Sequence, residues 1–165
     1  MVWILATTRT EAVPAPDTRL SGTFWLHESF NVYRPGAKLT GIAFIDELNV
    51  EIIFFDEYNI MRTDRGQYVF LDDVVGTLYY GSIESYKSLL RESLAHHRTI
   101  GDVFTEEEMR ERLFMQGGLE LLFRLEGDRL DILGGFSHEE DIGISLFTFR
   151  AVTPAELREV FTAYR

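Results

Sequence analysis

Four kinds of side chain in this sequence have the chemistry to serve a site, and their spacing decides what each can do. His138 stands beside Glu139, Glu140 and Asp141 after Gly134-Gly135, and His96-His97 closes a helical pattern. Metal ligands on one helix face need a spacing such as i, i+4. Adjacent His96 and His97 point about 100° apart and do not chelate together. The run Ser137–Asp141 has neither the alternate-position ligands nor the internal glycine of a calcium loop. These residues read as a solvated acidic turn and a helix end, so neither a metal nor a cofactor is expected.

The second kind is the carboxylate pair. Asp56-Glu57 and Asp72-Asp73 stand where apolar runs stop. Glycosidase-like chemistry needs two carboxyls roughly 5–10 Å apart, one with a raised pKa. A meander that brought both pairs to one sheet end would supply the first condition. Charge at strand ends also keeps sheet edges from pairing with other chains, and that is the reading adopted. The third kind is serine: no GxSxG occurs, and Ser82 reads as a helix N-cap. The glycines form neither GxGxxG nor a phosphate loop. No catalytic residue is assigned.

The fourth is an acidic face. From Asp46 to Asp73 there are eight carboxylates against Arg62 and Arg65, the densest negative stretch of a chain whose net charge is −11. Phe55, Tyr58, Tyr68, Tyr79 and Tyr80 are close by in sequence. Such a surface suits a basic protein partner, because opposite potentials steer association. The same charge argues against nucleic acid, which needs a basic stripe, and against anionic membranes.

The elements that must position these residues follow from patterning. Val2 to Thr7 reads as a first strand and Ser21 to Phe30 as a second, with Phe24 and Leu26 on one face and Trp25 and His27 on the other. Ile42–Ile45 and Val50–Phe55 are apolar on both sides, which predicts strands covered on both sides. Tyr58–Arg62 and Gln67–Leu71 read as two strands joined by a bulged hairpin turn at Thr63–Gly66. Helices are expected from Ile83 to about His97 and from the Thr105/Glu108 capping box to about Gln116. Leu119 to Leu133 alternates as a hairpin around Gly127-Asp128, and Ile142–Phe149 reads as a last strand. Thr153, Pro154 and Glu156 start a C-terminal helix over 154–164.

Strands mostly in hairpins, with about three helices, predict an α+β fold: a largely antiparallel meander sheet packed with helices, in one globular domain over 1–165. The chain has 165 residues, 45% of them hydrophobic and 13% aromatic, enough for a bulky core without disulfides. There is no cysteine, which is compatible with a reducing compartment. No span approaches the ~18–20 apolar residues that cross a bilayer, and a cytoplasmic location is expected.

In size, charge and element pattern the chain resembles small acidic inhibitor and immunity proteins, which neutralise a toxin by covering its basic active-site region. The resemblance implies a non-enzymatic protein that occludes a basic partner. The residues expected to do so are Asp56, Glu57, Asp72 and Asp73, together with Glu139, Glu140 and Asp141. The rival reading is a small-ligand-binding or hydrolytic α+β domain that encloses an aromatic-lined pocket.

Overall fold

The computed structural model describes residues 18–28, 38–55, 61–117, 119–133 and 145–162. Eight strands follow one another: β1 (Thr23–His27), β2 (Lys38–Phe44), β3 (Asn49–Phe55), β4 (Met61–Phe70), β5 (Val75–Tyr80), β6 (Glu120–Glu126), β7 (Arg129–Leu133) and β8 (Ser145–Val152). Each pairs antiparallel with its sequence neighbours, and β1 also pairs with β8, with Phe24 opposite Val152 and His27 opposite Phe149. The sheet is a closed up-and-down barrel. This corrects the expected α+β fold. The last strand returns to the first, so the apolar face of each strand is covered by other strands rather than by a helical layer.

Alternation sorts the side chains. Trp25, Ile42, Phe44, Val50, Ile52, Tyr68, Leu78, Phe123, Leu130, Ile132 and Phe149 are buried together as the barrel core. Eight strands enclose a volume that side chains can fill or that can hold one small ligand. The faces read for β1 hold, with Trp25 inside and Leu26 outside. Val50 and Ile52 point in, whereas Ile53 is buried on the outer wall.

The expected hairpin at Thr63–Gly66 is absent. Those residues lie inside the uninterrupted ten-residue strand β4, where Gly66 faces the interior opposite Val50. A Cβ there would run into the Tyr79 carbonyl oxygen, so the glycine lets β4 and β5 approach closely rather than turning the chain. Gly76 also makes room: a Cβ would overlap the Phe123 ring and the Val69 carbonyl oxygen. The missing side chain is the space that Phe123 fills. β5, which follows the β4 turn, has no counterpart among the strands expected from patterning. The expected strand over Val2–Thr7 lies outside the described residues.

The helices are α1 (Ile83–Thr99), α2 (Glu106–Gly117) and α3 (Pro154–Thr162). Ser82 caps α1 by accepting the Ser85 N–H. The Thr105/Glu108 and Thr153/Glu156 boxes form in both directions. None of the described helices is long and apolar enough to cross a membrane. α1 and α2 come between β5 and β6 and form a second, smaller core, in which Tyr86, Leu90, Met109 and Leu113 meet Tyr79 and Leu119. That core lies on the outer side of the barrel, since Tyr79 alternates with the inward Leu78 and Tyr80.

A buried ion pair sits within this contact. Glu120, only 2% exposed, takes Nε and Nη2 of Arg110 on separate oxygens. The pair holds the Arg110 guanidinium above its ordinary value. Burial, with the Glu120 charge added, pushes the Tyr79 and Tyr86 hydroxyls up.

Two stability results follow. Gly76→Ala should cost about 1–3 kcal/mol by overpacking, measured by urea unfolding, and a Phe123→Leu background should recover part of the loss. Arg110→Met leaves Glu120 buried without its cation and should cost about 3–5 kcal/mol. Arg110→Met combined with Glu120→Leu should be less destabilised than Arg110→Met alone.

Candidate functional site

A meander barrel has two ends, and consecutive connections alternate between them. One end carries the short connections 45–48, 71–74 and 127–128, and the other receives the connections that leave β1, β3, β5 and β7. The two ends are built differently, and candidate sites must be assigned to one or the other.

The short-turn end is sealed. Phe44, Tyr68, Phe70 and Phe123 pack edge to face, with centroid separations of 4.8 Å for Phe44–Tyr68 and 5.3 Å for Phe70–Phe123. The Tyr68 hydroxyl donates to the Asp46 carbonyl at 2.8 Å. Leu20, just before β1, is fully buried in this core. Beside it the Arg19 guanidinium lies 4.0 Å over the Phe70 ring and donates to the Asp73 carbonyl.

Two of the three turns at this end are held by aspartates. Asp46 Oδ1 accepts the N–H groups of Leu48 and Asn49, and Asp72 Oδ1 accepts those of Val74 and Val75, all within 2.7–2.8 Å. These bonds favour the ionised form. Asp46 is held below its ordinary value first by the Asn49 side chain, and Asp72 first by the Val75 N–H.

At the opposite end, wide in the sense that the longer connections leave from it, the described interior side chains are less deeply buried. The interior positions nearest to it are His27, Phe54, Tyr80, Leu121 and Phe147, all half-buried. The His27 ring meets Phe147 and Phe149 edge-on at 5.7 and 5.4 Å. Phe54 and Tyr80 lie nearly parallel at 6.4 Å.

β4 outruns β5: Met61–Arg65 pair with β3, whereas the β5 ladder begins at Gly66. Beyond the Gly81 N–H bond to the Arg65 carbonyl, Met61–Asp64 have no β5 partner among the described residues. Asp64, opposite the buried Ile52, and Arg62, opposite Phe54, have interior-facing register yet are exposed. Asp64 is near enough for its charge to act on Tyr80. Burial, with that charge added, pushes the Tyr80 hydroxyl up to about 12, so it stays a neutral donor at any physiological pH.

Of the residues expected to form a partner face, Asp72 and Asp73 lie in the β4–β5 turn at the sealed end. Asp56, Glu57, Glu139, Glu140 and Asp141 lie outside the described residues, as does His138. β3 ends at Phe55, at the end of the barrel away from the Asp72 turn, because turns that follow one another along a meander open on opposite sides.

His96 and His97 close α1. His97 packs edge-on against Phe104 at 5.0 Å, and its Nδ1 is 3.7 Å from Asp102. Among the described residues no group of three or more potential ligands converges on a metal position. Of the aromatics expected beside the acidic face, Tyr68 is sealed in the core, Tyr79 is under the helices and Tyr80 is inside the wide end.

His27 and Asp64 are not among the site residues that sequence patterning singles out. For His27 the available signal is the alternation that puts it on the same face as Trp25. Asp64 is hidden by the turn expected at Gly66.

Asp131 is a second buried carboxylate, on the outer wall of β7. Arg129 donates to it from Nε at 3.0 Å and Thr148 from Oγ1 at 2.6 Å, with Arg124 Nη2 3.7 Å away. It ties β6, β7 and β8 together from outside. No protein-family model matches this chain, and no characterised protein or solved structure is significantly similar to it.

The turn aspartates set an acid limit on stability. Their folded pKa values lie below the ordinary 3.8, so the stability they add is present above that value and is lost as pH falls through the folded one. Tm should be level above about pH 5 and fall from about pH 4 downward. Asp72→Asn should lower Tm at neutral pH and make the acid fall shallower, as read by thermal melts across pH.

Proposed function

We propose that the wide end of the barrel binds a small molecule that joins an apolar or aromatic body to a polar group. The observation that supports this reading is the contrast between the two ends of one closed barrel. At the sealed end the interior is packed with aromatic rings, and the half-buried Phe70 among them lies under the Arg19 guanidinium. At the wide end Phe54, Tyr80, Leu121 and Phe147 remain half-buried, and the interior register runs on to exposed Asp64 and Arg62.

Small-molecule sites are typically concave and apolar with a few placed polar groups. Here the aromatic rings would take the body of the ligand. The Tyr80 hydroxyl, His27 and Asp64 would face its polar group, with Tyr80 available as a donor because it remains protonated. The mouths of barrels are among the places where such sites occur. The absence of cysteine fits a reducing compartment, and a cytoplasmic setting belongs to the same proposal.

The test is fluorescence titration with N-phenyl-1-naphthylamine and a panel of uncharged aromatic and acyl probes, followed by thermal melts with each probe. Saturable binding of one probe per chain is expected. Phe147→Ala should weaken it about tenfold, equivalent to about 1.4 kcal/mol. His27→Gln should shift preference among probes with different polar groups while leaving Tm unchanged. Leu71→Ser, at the sealed end, should have no effect. A protein that melts normally and shows no saturable binding across the panel would overturn the reading.

A further inference from the structure

The sealed end has a surface that its packing does not explain. Ile45 and Leu48 in the β2–β3 turn, and Val69, Leu71 and Val74 around the β4–β5 turn, are large apolar side chains left exposed, Leu71 by 59% and Ile45 by 49%. Backbone hydrogen bonds place the two turns next to each other. The Leu48 carbonyl accepts the Tyr68 N–H, which brings the β2–β3 turn alongside the end of β4. Val69 is on the outer face of β4, and Leu71 and Val74 flank the Asp72 turn that follows it, where the Leu71 N–H bonds the Val75 carbonyl. The strip crosses two neighbouring turns. Single exposed apolar residues are ordinary, but five gathered on two adjacent turns among carboxylates have the make-up of an interaction surface.

Its rim is acidic. Asp46 and Glu47 stand between Ile45 and Leu48, and Asp72 and Asp73 between Leu71 and Val74. The nearby cation Arg19 is engaged with Phe70 and the Asp73 carbonyl. A second copy of this chain would set the same carboxylates against each other across a two-fold interface, since such an interface pairs identical patches. Anionic phosphate surfaces would be repelled for the same reason.

We infer that the strip Ile45–Leu48–Val69–Leu71–Val74 is a docking surface for a protein segment that carries apolar side chains flanked by Lys or Arg. Apolar contacts supply the affinity, and the carboxylates steer the encounter and reject acidic partners. The site is at the end of the barrel opposite the proposed ligand mouth and does not depend on it.

The experiment is selection of a random peptide library on the intact protein, with affinities and rates then measured for the selected peptides and for their Lys/Arg→Ser versions. The expected peptides combine Leu, Phe or Trp with two or more cations and bind one per chain. Their on-rates should fall steeply between low and physiological salt.

Leu71→Ser and Val69→Thr should each weaken them at least tenfold. Glu47→Gln with Asp73→Asn, which leaves the turn-capping Asp46 and Asp72 in place, should slow association with little change in dissociation. All these positions are exposed, so unchanged melts are expected. Three results would overturn the inference: selected peptides without net positive charge, equal binding by the Leu71→Ser protein, or concentration-dependent self-association that Leu71→Ser abolishes, which would make the occupant a second copy.

Discussion

The pairing of β1 with β8 is the constraint on which the rest depends. An open sheet of these strands would leave two rows of unpaired N–H and C=O groups and one apolar face to be covered by something else. Closure satisfies both rows and turns the apolar face inward, where it has a fixed volume to fill. That volume is small, so the interior is settled ring by ring. Phe123 fits because position 76 carries no side chain, and Tyr68 fits because its hydroxyl reaches the Asp46 carbonyl at the rim. Closure also makes the two ends unequal, since connections at one end can be tight turns while those at the other can be of any length.

The helical insertion shows the same constraint from outside. Between β5 and β6 the chain leaves the barrel, forms α1 and α2, and returns without breaking the ladder, with Tyr79 still opposite Glu120. Because barrel interior and outer wall alternate along each strand, β5 serves two cores at once: Leu78 and Tyr80 belong to one, Tyr79 to the other. The outer wall thereby acquires buried polar groups that a solvated wall would not have. Glu120 is tolerated there because Arg110 answers both its oxygens. Breaking such a pair costs far more than the pair contributes in net terms. It joins α2 to the first residue of β6.

Much of the local structure was legible in the sequence, and the architecture was not. Capping residues announced all three of the described helices because the signal is local: an oxygen at Ser82, Thr105 or Thr153 reaches an N–H within one turn. Alternation placed Trp25 and His27 on one face for the same reason. Closure depends on residues near 25 meeting residues near 150, and no local pattern encodes that. Gly66 misled because glycine between polar residues signals a turn as readily as a close backbone approach; only the opposite strand, with the Tyr79 carbonyl, distinguishes them. Reading one strand as two hid β5 and would have brought the Asp72 turn to the same end as the end of β3. Of the described carboxylates in the acidic stretch, Asp46, Glu47, Asp72 and Asp73 lie in turns at one end, whereas Asp64 lies toward the other.

The sealed end also bears on how charge should be read in such turns. Asp46 and Asp72 each commit one oxygen to two N–H groups of their own turn, and those bonds keep them ionised. Both of these turns are closed by that bond, so the two carboxylates serve the fold itself. Glu47 and Asp73 stand beside them without that duty. Their charge, set next to Leu48 and Val74 rather than dispersed, cannot be assigned to turn formation. Exposed apolar side chains in a turn lower solubility, and a carboxylate beside each offsets that cost while keeping the strip available. Both turns thus set exposed apolar side chains beside carboxylates, so that the charge hydrates a strip the barrel core does not bury.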